Sequence, residues 1–192
     1  MALRRGFKAE ANWWARSVRE ELGIAPHLPI CPWKLAELLG FPVVALSEYE
    51  KIDPAVGYLA STNGRGEFSA ITLFSGTARL IIHNDSHALK RQAANIAHEL
   101  AHGVLFHPPK PPFDVQGTRH YDPVIEEEAN WLGPALLVSE EAANHIARME
   151  LTPAKASDVY KVSEQLMLMR LNVTGALIRA SRRRQNVSLS SE

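Results

Sequence analysis

The chain has 192 residues, 46% hydrophobic and 22% charged, the composition of an ordinary globular protein long enough to bury a core. Lysine plus arginine (21) balances aspartate plus glutamate (21), so overall charge gives no case for nucleic acid or an anionic membrane as partner. Cys31 is the single cysteine and excludes an intramolecular disulfide. No stretch reaches the roughly 18 apolar residues of a membrane span, and the start MALRRGFKAEANWW lacks the apolar run of a secretory signal, so a cytoplasmic protein is expected.

Residues 7 to 22 carry apolar groups at helical period, with Trp13, Trp14 and Val18 as a packing face and Gly23 as the stop. After a proline-rich connection, Pro26 to Pro32, a second helix is expected over Trp33 to Leu39, closed by Gly40. Residues 41 to 84 read as strand-rich: Val43 to Leu46, Val56 to Ala60, Phe68 to Leu73 and Arg79 to His83. The turn Asn63-Gly64-Arg65-Gly66 predicts a hairpin joining the second and third of these. An open edge of such a sheet would suit an extended peptide, which binds by adding a strand.

The stretch Ala93 to His107 carries the specific chemistry. His98 and His102 stand four apart, so a helix puts both imidazoles on one face, converging where a metal ion would be held. Glu99 projects about 100° around the same helix, close to that point but poorly placed to ligate, as suits a general base. Ala93, Ile96, Ala97, Leu100, Ala101 and Val104 surround these groups with apolar surface, where three ionisable side chains need a partner such as a divalent cation. His83 and His87 read as strand-end or loop residues, because two helix histidines and one carboxylate already complete a catalytic set.

Pro108, Pro109, Pro111 and Pro112 end that helix and open a loop to about Pro123. Arg119, His120 and Tyr121 lie in the loop as candidate donors to an oxyanion or contacts to substrate. A further helix is expected over Ile125 to Leu137. On it Glu126 and Asn130 share a face; Glu126 is the preferred third ligand, with Glu127 and Glu128 as alternatives, and Asn130 would orient a ligand histidine through its other ring nitrogen. Ser139, Thr152 with Pro153, Ser163 and Thr174 are expected to cap later helices, and Leu166, Met167, Met169 and Leu171 to fill the core. Ser157 to Arg179 with Arg182-Arg183-Arg184 has the outline of a DNA-reading helix pair, yet arginines near a helix C-terminus are also favoured by its dipole, and DNA is not the preferred partner.

AHELAHGVLFH followed by EEEAN and a paired leucine resembles the ImmA/IrrE family of metallo-endopeptidases, over roughly residues 10 to 180. The resemblance implies an α+β, zincin-like domain: N-terminal helices, a small mainly antiparallel sheet, the HExxH helix and a helical C-terminal part. Residues 1–192 would form one such domain, with helices and sheet in 1–84, the metal-site helices and their loop in 85–138, and C-terminal helices and tail in 139–192. It also implies Zn2+ held by His98, His102 and Glu126, Glu99 as catalytic base, and a protein substrate. That substrate would be a helix-turn-helix repressor or antitoxin-type regulator in a mobile-element, stress-response or toxin-antitoxin setting. The competing expectation is a non-proteolytic module of the same fold that docks a regulator or DNA. Where the family usually has methionine and proline after the paired leucines, this chain has Val138-Ser139, a difference that concerns helix packing.

Overall fold

A computed structural model describes residues 3–76, 78–108 and 122–189. The elements are α1 (Phe7–Glu21), α2 (Pro32–Leu38), β1 (Val43–Ala45), α3 (Leu46–Glu50), α4 (Val56–Ala60), β2 (Ala70–Ser75), β3 (Ala78–His83), α5 (Leu89–Val104), α6 (Pro123–Leu137), α7 (Glu140–Arg148), α8 (Pro153–Val159), α9 (Glu164–Val173) and α10 (Ala176–Leu189). The protein is therefore a mixed α+β fold in which helices outnumber strands.

α5 and α6 form the centre. Ile96, Ala97, Leu100 and Ala101 of α5 and Ala129, Leu132 and Leu136 of α6 are buried at helical spacing. Gly133 permits their close approach: a Cβ there would lie 3.1 Å from the His98 Cα and amide nitrogen. α1 covers α6 with Phe7, Ala11, Ala15 and Val18, all on one face and all buried. Of the two N-terminal tryptophans, Trp14 packs against this core while Trp13 is exposed.

The sheet has the order β1-β3-β2, with β1 parallel to β3 (Val43 opposite Ile81) and β2 antiparallel to β3 (Ala70 opposite His83). Among the described residues β2 is an edge strand. Among the described residues the sheet is thus mixed and has three strands where four were expected. Val56 to Ala60 is a helix, because Asp53 and Pro54 start a helical turn. The Asp53 carboxylate accepts from the Ala55 amide at 2.9 Å, and the Val56 amide bonds the Asp53 carbonyl at 3.0 Å. The turn at 63–66 consequently leads from α4 to β2, and the hairpin joins β2 to β3 past Gly76, whose φ is +59°.

The C-terminal helices follow their caps. Ser139, Thr152 and Ser163 each accept from the amide three residues on, at 3.0, 3.3 and 3.1 Å. Thr174 differs from expectation: it ends α9, its hydroxyl donating to the Arg170 carbonyl at 2.8 Å, and Gly175 at φ +69° breaks the chain before α10. Met167 and Leu171 are core, as their spacing suggests. Two buried arginines finish α6. Arg19 donates to the carbonyls of Leu136 at 2.8 Å and Leu137 at 3.2 Å, and Arg170 to that of Val138 at 2.9 Å. No helix of the described residues is long and apolar enough to cross a membrane.

Candidate metal centre

α5 presents His98 and His102 one turn apart, and α6 runs across them at Gly133 so that Glu126, two turns earlier, faces both rings. α6 starts where it does because Asp122 caps it, accepting from the Val124 amide at 3.1 Å, with Pro123 in the first turn. The His98 and His102 Nε2 atoms lie 3.2 Å apart; Glu126 brings Oε2 to 3.3 Å from His98 and Oε1 to 3.7 Å from His102. All three side chains keep 18–25% of their surface exposed, so one side of the cluster is open to solvent.

The donor set can be tested for fit to a cation. A tetrahedral zinc with bonds of about 2.0–2.1 Å needs its ligand atoms about 3.3–3.4 Å apart; the two imidazole nitrogens stand at 3.2 Å, and each ring has a Glu126 oxygen near that spacing, Oε2 for His98 and Oε1 for His102. Two imidazoles and a carboxylate with one open side also make up the chemistry of a catalytic zinc site. Among the described residues these three form the group of histidine and carboxylate ligands able to hold a metal ion. Hydrogen bonds from His102 and then His98 hold the Glu126 carboxyl well below the usual carboxylate range, against the opposing effect of burial.

Glu99 is buried on α5, where its Oε2 accepts the Thr72 hydroxyl of β2 at 2.6 Å. This bond links the proposed base to the edge strand. Neither Glu127 nor Glu128 joins the ligand cluster.

Asn130 departs from expectation: it is exposed, and the group on the far nitrogen of His102 is His107, whose Nδ1 lies 2.9 Å from the His102 Nδ1. His107 in turn brings Nε2 to 3.4 Å from Glu128 Oε2, and Glu128 Oε1 accepts from Arg4 at 2.6 Å. Burial, and after it the facing His102, pushes the His107 ring below the usual histidine range, against the pull of Glu128.

Local spacing had no means of finding His107. It sits beyond the helix end and returns to the site because Phe106 takes φ +53°, which lets the His107 amide bond the His102 carbonyl at 3.0 Å and the Phe106 amide bond Gly103 at 3.1 Å. That is the Schellman stop, normally signalled by glycine. Here a phenylalanine occupies it.

Arg119, His120 and Tyr121 lie outside the described residues. His83 and His87 are buried away from the ligand cluster: His83 ends β3, edge-on to Trp33, and His87 holds the Arg65 carbonyl at 2.7 Å. Cys31 is exposed.

The family model Peptidase_M78, described as the IrrE N-terminal-like domain, matches residues 50–172. No curated protein and no solved structure matches the chain.

Proposed function

The chain belongs to the IrrE N-terminal-like peptidase family, and from that premise we propose that it is a zinc-dependent endopeptidase acting in the cytoplasm on a protein substrate. By family likeness that substrate is a helix-turn-helix repressor or antitoxin-type regulator. The observation that carries the reading is the convergence of His98, His102 and Glu126, whose imidazole Nε2 atoms lie 3.2 Å apart with one Glu126 oxygen facing each ring, Oε2 at 3.3 Å from His98 and Oε1 at 3.7 Å from His102.

His98, His102 and Glu126 would hold the ion, and their partial exposure keeps the cluster accessible to solvent. A zinc ion held there would supply Lewis acidity, enough to bring the pKa of a water toward about 7 and to polarise the scissile carbonyl. Glu99 accepts the proton of the attacking water and delivers it to the leaving amine, a two-way role that needs a fixed carboxylate. Thr72 supplies that fixing from β2. The outer edge of β2 offers backbone groups to an extended substrate segment, and strand addition there would lay the scissile bond beside Glu99 with little side-chain selectivity.

The test combines the purified, zinc-loaded chain with helix-turn-helix regulators and follows their cleavage by mass. Glu99→Gln is expected to retain zinc and to lower the cleavage rate by about 10²–10⁴-fold. Regulators that bind the wild-type chain yet stay whole would replace the peptidase with a docking module.

A further inference from the structure

The family match covers residues 50–172, so α1 and the turn before it lie outside it. Nevertheless a line of contacts runs from the ligand cluster to that turn. His98 and His102 aim their Nε2 atoms at one another across 3.2 Å, which leaves the Nδ1 of His102 pointing away from the shared point and toward the Nδ1 of His107 at 2.9 Å. Two ring nitrogens at that distance need a single proton between them. If the His102 Nε2 lone pair goes to a cation, its proton sits on Nδ1, so His102 donates and His107 accepts. The His107 proton then belongs on Nε2, the atom that faces Glu128. Glu128 offers its second oxygen to Arg4 at 2.6 Å, and Arg4 also holds Glu10 at 2.6 Å while its guanidinium lies 5.0 Å from the Phe7 ring centre. Each group in the line thus has a donor matched to an acceptor.

Local structure builds the line from both ends. The positive φ of Phe106 folds His107 back beside His102, and Gly6, at φ +86°, joins Arg4 to the start of α1, which packs on α6, so that the Arg4 guanidinium reaches Glu10 of α1 and Glu128 of α6. His107 and Glu128 are both buried, so their mutual contact is shielded from water and a change in either is felt by the other. A carboxylate acting through an imidazole on a ligand's remote nitrogen fixes the ligand ring and makes its metal-facing nitrogen a better donor.

Resting on the reading of His98, His102 and Glu126 as metal ligands, we propose that His107 and Glu128 are positioning residues for His102. Arg4 anchors them, so metal affinity is set in part by an N-terminal turn outside the family match.

The experiment measures zinc affinity of the full chain by competition with a chromogenic chelator, for wild type, His107→Phe, Glu128→Gln, Arg4→Met and the control Glu126→Ala. Visible spectra of the cobalt-substituted forms are taken beside it. His107→Phe and Glu128→Gln are expected to weaken zinc by about 10–100-fold and to alter the cobalt bands, the double variant being no weaker than His107→Phe alone. Arg4→Met, on a half-exposed side chain, is expected to weaken it by about two- to fivefold. Wild-type affinity and spectrum in Glu128→Gln, with Glu126→Ala clearly impaired, would overturn the positioning role and leave the metal site standing. Loss of nothing in Glu126→Ala would remove the metal reading itself. Should His107→Phe fail to fold, the near-isosteric Glu128→Gln carries the same decision, and thermal unfolding of each metal-free variant separates a packing defect from an affinity effect.

Discussion

The two ends of α6 treat charge in opposite ways. Near its start, Glu126 and two imidazoles crowd around one point with a side open to water. At its finish, the carbonyls of Leu136, Leu137 and Val138 each receive their own N–H from a guanidinium with almost no exposed surface, Arg19 or Arg170. Burial draws the pKa of both arginines down to about 10, which leaves them charged at neutral pH with backbone carbonyls as partners. One end gathers ionisable side chains beside water, whereas at the other buried guanidiniums meet backbone carbonyls. The two ends thus differ in whether their polar atoms converge on one shared point or are spread over separate partners.

Exchanging the two ends by mutation should exchange the two losses. Arg19→Met strands three carbonyls, those of Leu28, Leu136 and Leu137, at about 1–3 kcal/mol each before relaxation, so a loss of about 3–5 kcal/mol is expected. For a chain of this size that lowers the melting temperature on the order of 10 °C, while zinc affinity of the folded fraction stays within about twofold. Glu126→Ala should do the reverse, weakening zinc by more than about 100-fold with little change in melting of the metal-free chain. Calorimetry and chelator competition on both variants check the pair, and equal stability loss in both would erase the contrast.

Gly133→Ala probes the coupling between the ends. The new Cβ meets the His98 Cα and amide at 3.1 Å and the Ala97 carbonyl at 3.2 Å, all backbone atoms that cannot swing aside. α6 must move off α5 by a few tenths of an ångström, at about 1–3 kcal/mol, and Glu126 moves with it. Stability and zinc affinity should therefore fall together, zinc by roughly tenfold. A fall in stability alone would show that the ligand cluster tolerates helix displacement.

These features differed in how plainly the sequence showed them, for physical reasons. That His98 and His102 meet was legible because residues four apart share one helix face. The caps Ser139, Thr152 and Ser163 were legible because each acts on an amide three residues away. Val56 to Ala60 misled because its β-branched and aromatic residues outweighed Asp53-Pro54, a helix-start signal just upstream. Asn130 shares a helix with Glu126, but which groups the α6 face meets is a matter of packing; His107 reaches His102 through a positive φ at a phenylalanine, which no residue preference announces. The arginines that close α6 come from α1 and α9, and such long-range partners leave no local pattern.

The smallest expected effect tests whether the open end borrows order from the sheet. Thr72→Val keeps the β-branched shape and the β2 backbone but removes the hydroxyl that Glu99 accepts at 2.6 Å. Zinc, held by other side chains, should bind as before, and KM should hold because strand addition uses backbone groups that valine leaves in place. What changes is the freedom of one carboxylate. A hydrogen bond contributing about 0.5–1.5 kcal/mol corresponds to a fall in kcat of about two- to tenfold, read by steady-state cleavage of an identified substrate. An unchanged kcat would mean that α5 alone aims Glu99. A raised KM at constant kcat would instead move Thr72 from orienting the base to contacting the substrate.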